Sequence, residues 1–380
     1  MPKLNWQIIH RAIGGSNVDI TSRVLSVNVL QGRNKYLDSY SGGSITFTID
    51  NSSNYASGIG YGSRIALQDI PATGFSFACF FWVQEVTFND YPGNTGLNTA
   101  TITAVDWISR AGRVQAENFV LAQANTGQQF AQFDNAAGGP LPAGMNVGSS
   151  IGQSIGSAIT YTGTVANYLN LLQTTERGYV VLRGDSATLI DRKKVSDYPP
   201  IATTLGRTTS STQIAYEEFV RIQNGVQFIN NATISSSGVA DQNEINSSSA
   251  TTYGPAFYSS QTVDYNATQA DGNAQWIVNN FSDPASLRFE CSFRDITQNS
   301  TALASYMGEC WGTVNRSINL IYQVPGGSST TTAVVMEGLN LRITPDSTEF
   351  RMTFSPLQYY QFFTLDSSTL GILDTSRLGW

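Results

Sequence analysis

Histidine, cysteine and closely spaced carboxylates are the residues that most often carry catalysis or hold metal, and this 380-residue chain uses them sparingly. Its one histidine, His10, sits in Ile8-Ile9-His10-Arg11, which reads as strand or arm; any Ser-His-Asp or Cys-His relay would have to be built on it. Cys79, Cys291 and Cys310 lie far apart with no C-x-x-C spacing, so no familiar zinc set forms and the three read as reduced core thiols. Glu217 stands beside Glu218, and Asp185 lies near Asp191. Two carboxyl groups about 5 to 9 Å apart can cleave a glycosidic bond, but neither pair has an aromatic platform in its own segment. Tyr359-Tyr360-Gln361-Phe362-Phe363 could stack sugars, and reads more simply as an apolar strand against a core. Gly58-Ile59-Gly60-Tyr61-Gly62 follows a polar loop, opens no helix and lacks the third glycine spacing of a dinucleotide fingerprint, so it reads as a turn. Arg192-Lys193-Lys194 is too short a basic run for a nucleic-acid patch. These residues predict no catalytic site, no cofactor and no metal.

The elements that would position any site are β-rich. Charged residues make up only 13% and the net charge is −7, so no basic field is available to hold nucleic acid by counterion release. The first residues show no basic segment followed by an apolar run, and no stretch approaches about 20 apolar residues; neither a secretory leader nor a membrane span is expected, which fits synthesis in a cytoplasm. Period-two alternation marks strands at Arg23–Val29 and Ser44–Asp50, and further strands at 75–86, 100–106, 226–229, 318–322, 333–338 and 350–354. Val165, Tyr168, Leu169 and Leu172 predict a helix with Thr164 as N-cap and Gly178 as its stop. Ala274, Ile277, Val278 and Phe281 predict another over 271–282, ended by Pro284. Gly184-Asp185 between two apolar runs predicts a hairpin. The Gly/Ser-rich stretch 138–156 reads as an exposed or partly disordered loop.

The chain closes on a repeated phrase, L-D-[ST]-S-x-L-G at 365–371 and again at 373–379. Each copy reads as a capped turn presenting two leucines. Leu365, Leu370, Leu373, Leu378 and Trp380 together suggest an arm that docks on a neighbouring subunit.

Several phrases, in order, resemble minor tail proteins of long-tailed bacteriophages. They are Asp19-Ile20-Thr21; Gly32-Arg33 leading to Leu37-Asp38; Gly43 leading to Asp50-Asn51; Ala100–Arg113; Glu176-x-Gly178 within 171–192; Ser249–Gly254; Glu337-Gly338 within Met336–Pro356; and the closing repeat. The loop 138–156 has no counterpart in that pattern. The resemblance implies a mainly β fold with a smaller α/β part. Its expected divisions are two tube-like β-barrels (1–113 and 199–356), an inserted α+β domain (114–198) and a C-terminal arm (357–380). It implies a non-enzymatic baseplate-hub protein at the virion tail tip, forming a homotrimer. The partners would be the tail tube or a distal tail protein on one side and a central spike, fibre or tape-measure protein on the other, with DNA only in transit. A six-fold distal tail ring, a glycan-binding adhesin and a cell-wall hydrolase using a carboxylate pair remain the alternatives.

Overall fold

The computed structural model describes residues 4–39, 42–69, 77–152, 154–192, 200–223, 227–284, 287–310 and 316–360. Seven strands come first: β1 (Trp6–Arg11), β2 (Asn17–Asp19), β3 (Val24–Gly32), β4 (Ser44–Asp50), β5 (Arg64–Asp69), β6 (Phe77–Asn89) and β7 (Thr99–Val105). A helical and β segment follows, with α1 (Trp107–Ala111), β8 (Gln115–Leu121), β9 (Ala124–Asn125), α2 (Thr126–Ala131), β10 (Asn146–Val147), β11 (Ile155–Gly156), β12 (Ile159–Thr164), α3 (Val165–Glu176), β13 (Tyr179–Arg183) and β14 (Ser186–Ile190). Then come β15 (Thr204–Gly206), β16 (Gln213–Ala215), β17 (Glu218–Gln223), β18 (Asn231–Ser236), β19 (Val239–Ile245), α4 (Ser247–Tyr253), β20 (Phe257–Thr262) and α5 (Ala267–Phe281). The last elements are β21 (Leu287–Arg294), α6 (Ser300–Cys310), β22 (Ser317–Gln323), β23 (Ser329–Ile343) and β24 (Thr348–Pro356).

The fold is mainly β, as expected. Strands β1–β7, β15–β17 and β21–β24, drawn from both predicted β regions, belong to a single 14-stranded sheet, while β18–β20 of the second region form a separate three-stranded sheet. The 15-residue β23 makes the junction: it pairs with β24 along Val334–Ile343, with β22 along Ser329–Val335 and with β3 along Gly338–Ile343. Inward side chains from residues 4 to 354, including Phe47, Ile102, Phe293 and Phe350, build one core on this sheet. A second core joins residues 107–190 to 229–281, with Trp107, Phe130, Tyr168, Leu189, Ile277 and Phe281 fully buried or nearly so. The α/β layer is therefore assembled from two separate stretches of chain. Helix α5, which the sequence reading assigned to the second β region, lies against β18 and β19 in this layer. Helical period reports that a face must be covered, not which element covers it.

Local signals explain most elements. Helix α3 starts where the Thr164 hydroxyl accepts from the Asn167 amide at 3.2 Å. It ends with Arg177 itself in the left-handed region (φ 51°), so Gly178 is not the stop that was expected. Gly178 serves a close approach instead, since a Cβ there would run into the Ile190 carbonyl oxygen. The Gly184-Asp185 hairpin is present, with Arg183 opposite Ser186. The strand expected at 226–229 is absent over the described part: Gln227–Ile229 lies between β17 and β18, and the Ile229 amide donates to the end of α5 at Phe281. Helix α5 begins four residues earlier than its apolar face implies, because the Asn266 side chain caps it by accepting from the Gln269 amide at 3.0 Å.

Strand β7 passes into α1 through Asp106, whose buried carboxylate accepts from the Ser109 amide at 3.0 Å and the Gly43 amide at 2.5 Å. Burial pushes Asp106 up to about 6 from its ordinary 3.8, against the pull of those amides. With the folded value above the unfolded one, this group supports folding fully below about pH 4 and withdraws that support as pH rises through about 6, by about 3 kcal/mol. Thermal unfolding between pH 4 and 6 is expected to show this loss in the natural chain and a flatter profile in Asp106→Asn; equal slopes would contradict it.

Candidate assembly surface

The motif residues far apart in sequence converge at the β3–β23 junction. Gly32 pairs with Gly338, and Arg33 follows β3 directly opposite Glu337. The Arg33 guanidinium donates to Glu337 at 2.8 Å, with both side chains at 3% exposure or less. The Tyr360 hydroxyl reaches Glu337 at 2.8 Å and the Tyr179 hydroxyl at 2.6 Å, and accepts from Arg33 at 3.2 Å. The guanidinium also lies 4.9 Å from the ring centres of Tyr36 and Tyr179. Burial alone would lower the Arg33 pKa, but the Glu337 charge together with Tyr360, Tyr179 and Tyr36 outweighs it and holds the group well above its usual value. Burial and the same carboxylate raise the hydroxyls of Tyr179 and Tyr360 far above theirs. The cluster is a fixed, neutral bundle of one cation, one anion and stacked phenols.

The other motif residues are structural as well. Gly43 meets the Asp106 carboxylate and the Leu30 carbonyl, leaving no room for a Cβ. Asp50 accepts from the Ser52 amide at 2.8 Å, and buried Asn51 accepts from the Ala56 amide at 2.8 Å. Asp38 closes a turn through its amide on Lys35. Glu176, buried, accepts from the Thr126 hydroxyl and from the Ser154 amide. That contact pins the Gly-rich stretch, which is packed rather than a free loop over its described residues. A Cβ at Gly148, Gly152 or Gly156 would strike Thr188, Thr126 or Gln129.

From this junction an eight-stranded antiparallel wall extends in the order β17-β21-β24-β23-β3-β4-β7-β6. Its inner residues form the core, and its outer residues make polar rows in register. One row runs Arg294, Glu349, Arg342, Asn28, Thr46, Thr103, Glu85; another runs Ser26, Thr48, Thr101, Thr87. Threonine suits both demands here, since its branched Cβ favours the strand and its hydroxyl tolerates water. The charged residues are largely paired within the face: Arg288 with Glu290 and Arg351 with Glu349 at 2.7 Å, and Arg294 with Glu217 at 2.9 Å. Two hollows of about 400 and 210 Å³ lie along it, the larger against Gly32, Glu218, Glu290, Asn340 and Arg351 and the smaller beside Asn28 and Arg342. Both ends of the wall carry strand edge with no pairing strand among the described residues: the whole of β17, and Glu85–Asn89 of β6. Apolar side chains are exposed at those ends, Val220 at 46% and Phe88 at 44%.

The residues singled out for chemistry do not form a site. His10 is buried in β1, edge-on to Tyr55, and burial lowers its pKa. Glu217 is bound to Arg294 and to the Thr297 hydroxyl, and Glu218 accepts from Ser292 at 3.4 Å. Tyr359 and Tyr360 belong to the second core, so they cannot serve as a sugar platform; a core position leaves no face open to a ligand. Cys291 is a free, buried thiol whose pKa burial raises. Among the described residues no group of three or more His, Cys, Asp or Glu is placed to hold a metal ion, and no helix is long and apolar enough to cross a membrane. Leu365, Leu370, Leu373, Leu378 and Trp380 lie outside the described residues, as do Lys193 and Lys194. The wall itself was missed in the sequence, although the threonine-rich outward positions of β4 and β7 were its signal.

No protein-family profile and no curated protein matches the sequence. Solved structures do match the fold. A tail protein from Neisseria meningitidis MC58 superposes with a TM-score of 0.63 at 11% identity, over 93% of this chain and 96% of that one. The 43 kDa tail protein of prophage MuSo2 from Shewanella oneidensis gives 0.56 at 10% identity, over 93% and 99%. Prophage tail protein gp18 from Listeria monocytogenes EGD-e gives 0.52 at 11% identity, over 91% and 94%.

Removing one member of a buried ion pair strands the other. Glu337→Ala is expected to lower unfolding free energy by about 3 to 5 kcal/mol, whereas Arg33→Met combined with Glu337→Leu should recover most of that loss. Urea denaturation of the natural chain and the two variants tests this, and a double variant no more stable than Glu337→Ala would refute it.

Proposed function

We propose that this chain is a structural subunit of a bacteriophage tail tip, of the baseplate-hub kind, which assembles as a ring of three and encloses the channel through which DNA passes. The observation that carries the reading is the eight-stranded wall, polar on its outer face and left open at both edges, on a fold shared with solved phage tail proteins. Unpaired strand edges favour pairing with another chain, and three copies joined β17 to β6 would close both open ends of the wall. The polar rows would then line the enclosed surface. Paired arginines and glutamates along it give a passing duplex no cationic track to bind. In this reading one end of the ring meets the tail tube or a distal tail protein, and the other a central spike, fibre or tape-measure protein. The arm at 365–380 would dock on a neighbouring copy.

A reconstruction of the native tail tip without imposed symmetry tests the proposal. Three copies around a channel are expected, with β17 beside β6 of the next copy; six equivalent copies would make the chain a distal ring, and a peripheral position would overturn the channel reading. Val220→Lys, which places a charge at the open edge, is expected to leave a folded monomer that no longer assembles, as judged by light scattering. Deleting 365–380 is expected to block assembly in the same way, and normal assembly of the truncated chain would remove the arm's assigned role.

A further inference from the structure

The arginines at the β1–β5–β6 end of the sheet lie close together, whereas on the wall three of them are paired with glutamates and Arg221 and Arg342 stand apart. Arg11, Arg64, Arg110 and Arg113 form no ion pair among the described residues, whereas Arg288, Arg294 and Arg351 each do. Arg11 and Arg64 occupy directly opposed positions of antiparallel β1 and β5, which points both side chains to one face with their charges side by side. Like charges so placed are destabilising. The row continues from Arg64 to Trp82 on β6.

Aromatic rings hold these guanidinium groups in place. Arg64 lies over Phe80 at 4.1 Å and Arg110 over Trp82 at 4.9 Å, while Arg113 donates to the Tyr61 hydroxyl at 2.9 Å and Arg11 to the Gly15 carbonyl at 3.1 Å. Burial and then the neighbouring Arg11 charge lower the Arg64 pKa, opposed by the Asp185 carboxylate on the β13–β14 turn. Such stacking fixes the plane of a guanidinium and readies it for two-pronged contact with a carboxylate. Beside the cluster, Ile13 is 79% and Tyr61 66% exposed, and β2 forms the edge of the sheet with all three residues exposed.

We propose that this arginine and aromatic end of the sheet is a docking site for an extended acidic segment of a partner protein, its carboxylates seated between Arg11 and Arg64 and its apolar side chains on Ile13 and Tyr61. The opposed pair has a reason to exist once an anion bridges it. An acidic peptide fits better than nucleic acid. Four arginines in a chain of net charge −7 make a small positive footprint, and the exposed apolar rim suits aliphatic side chains rather than a phosphate backbone. The site uses the β5-paired half of β6 and not its open Glu85–Asn89 edge, so it does not depend on how the ring is read.

The test uses the full chain and fluorescence anisotropy with three labelled probes: a short peptide alternating Glu and Leu, the same peptide with Gln for Glu, and a short DNA duplex. The acidic peptide is expected to bind, to weaken as salt rises and to lose roughly tenfold in affinity in Arg64→Gln or Arg11→Gln. Arg207→Gln, at an exposed arginine elsewhere, should change nothing. The free Arg64→Gln protein should melt no lower than the natural chain, because a repulsion has been removed, which separates lost docking from lost folding. Undiminished binding in both variants, equal binding of the Gln peptide, or preference for the duplex would each overturn the proposal.

Discussion

Burying a guanidinium is costly without a counter-charge, and Arg33 meets its carboxylate partner, Glu337, on a strand more than three hundred residues away. The two ends of the chain are thereby fixed to each other at one point. Because Glu337 lies on β23, the strand that pairs with β3, β22 and β24 at once, the ion pair sets the register where the first and second β regions become one sheet. Tyr179 and Tyr360 bring in the hairpin of the α/β layer and the turn after β24. A purely apolar junction of the same volume could be as stable or more so. What the pair adds is definition, since a one-residue slip of β23 would leave both charges buried and alone.

The same contrast between satisfied and unsatisfied charge distinguishes the surfaces. Along the wall, cations sit beside anions on the same or adjacent strands, and exposed pairs of that kind add little stability. Their effect is to make a broad face polar and without net grip. At the β1–β5–β6 end, arginines are gathered and stacked on aromatic rings, with no ion pair among the described residues. Strand edges follow a parallel logic, because β17 and the Glu85–Asn89 part of β6 end the wall without a proline, although β6 shifts register between Val83 and Glu85 where its open edge begins.

Glycine does unexpected work in the α/β layer. The stretch 138–156 has the composition of a free loop, but Gly148, Gly152 and Gly156 bring the backbone against side chains of β14 and α2, and Glu176 binds it from α3. Glycine marks both flexibility and close approach, and composition alone does not tell them apart. Gly178 shows the same ambiguity at the end of α3.

By itself the sequence determined the elements that depend on near neighbours. β4 and β7 are legible from alternation, α3 from its apolar stripe and Thr164 cap, and the β13–β14 hairpin from Gly184-Asp185, because period and turn chemistry act within a few residues. The scarcity of histidine and the scattered cysteines likewise left little room for a catalytic reading. Tertiary structure decided everything that rests on long-range pairing. It brought Arg33 to Glu337, moved α5 into the layer built on 107–190, buried Tyr359 and Tyr360, and aligned the threonines of separate strands into one face. It also set Arg11 opposite Arg64. Alternation gives each strand a buried side and an open side, but the order in which strands adjoin is chosen by the summed burial of the whole sheet, and no local stretch of residues encodes that sum.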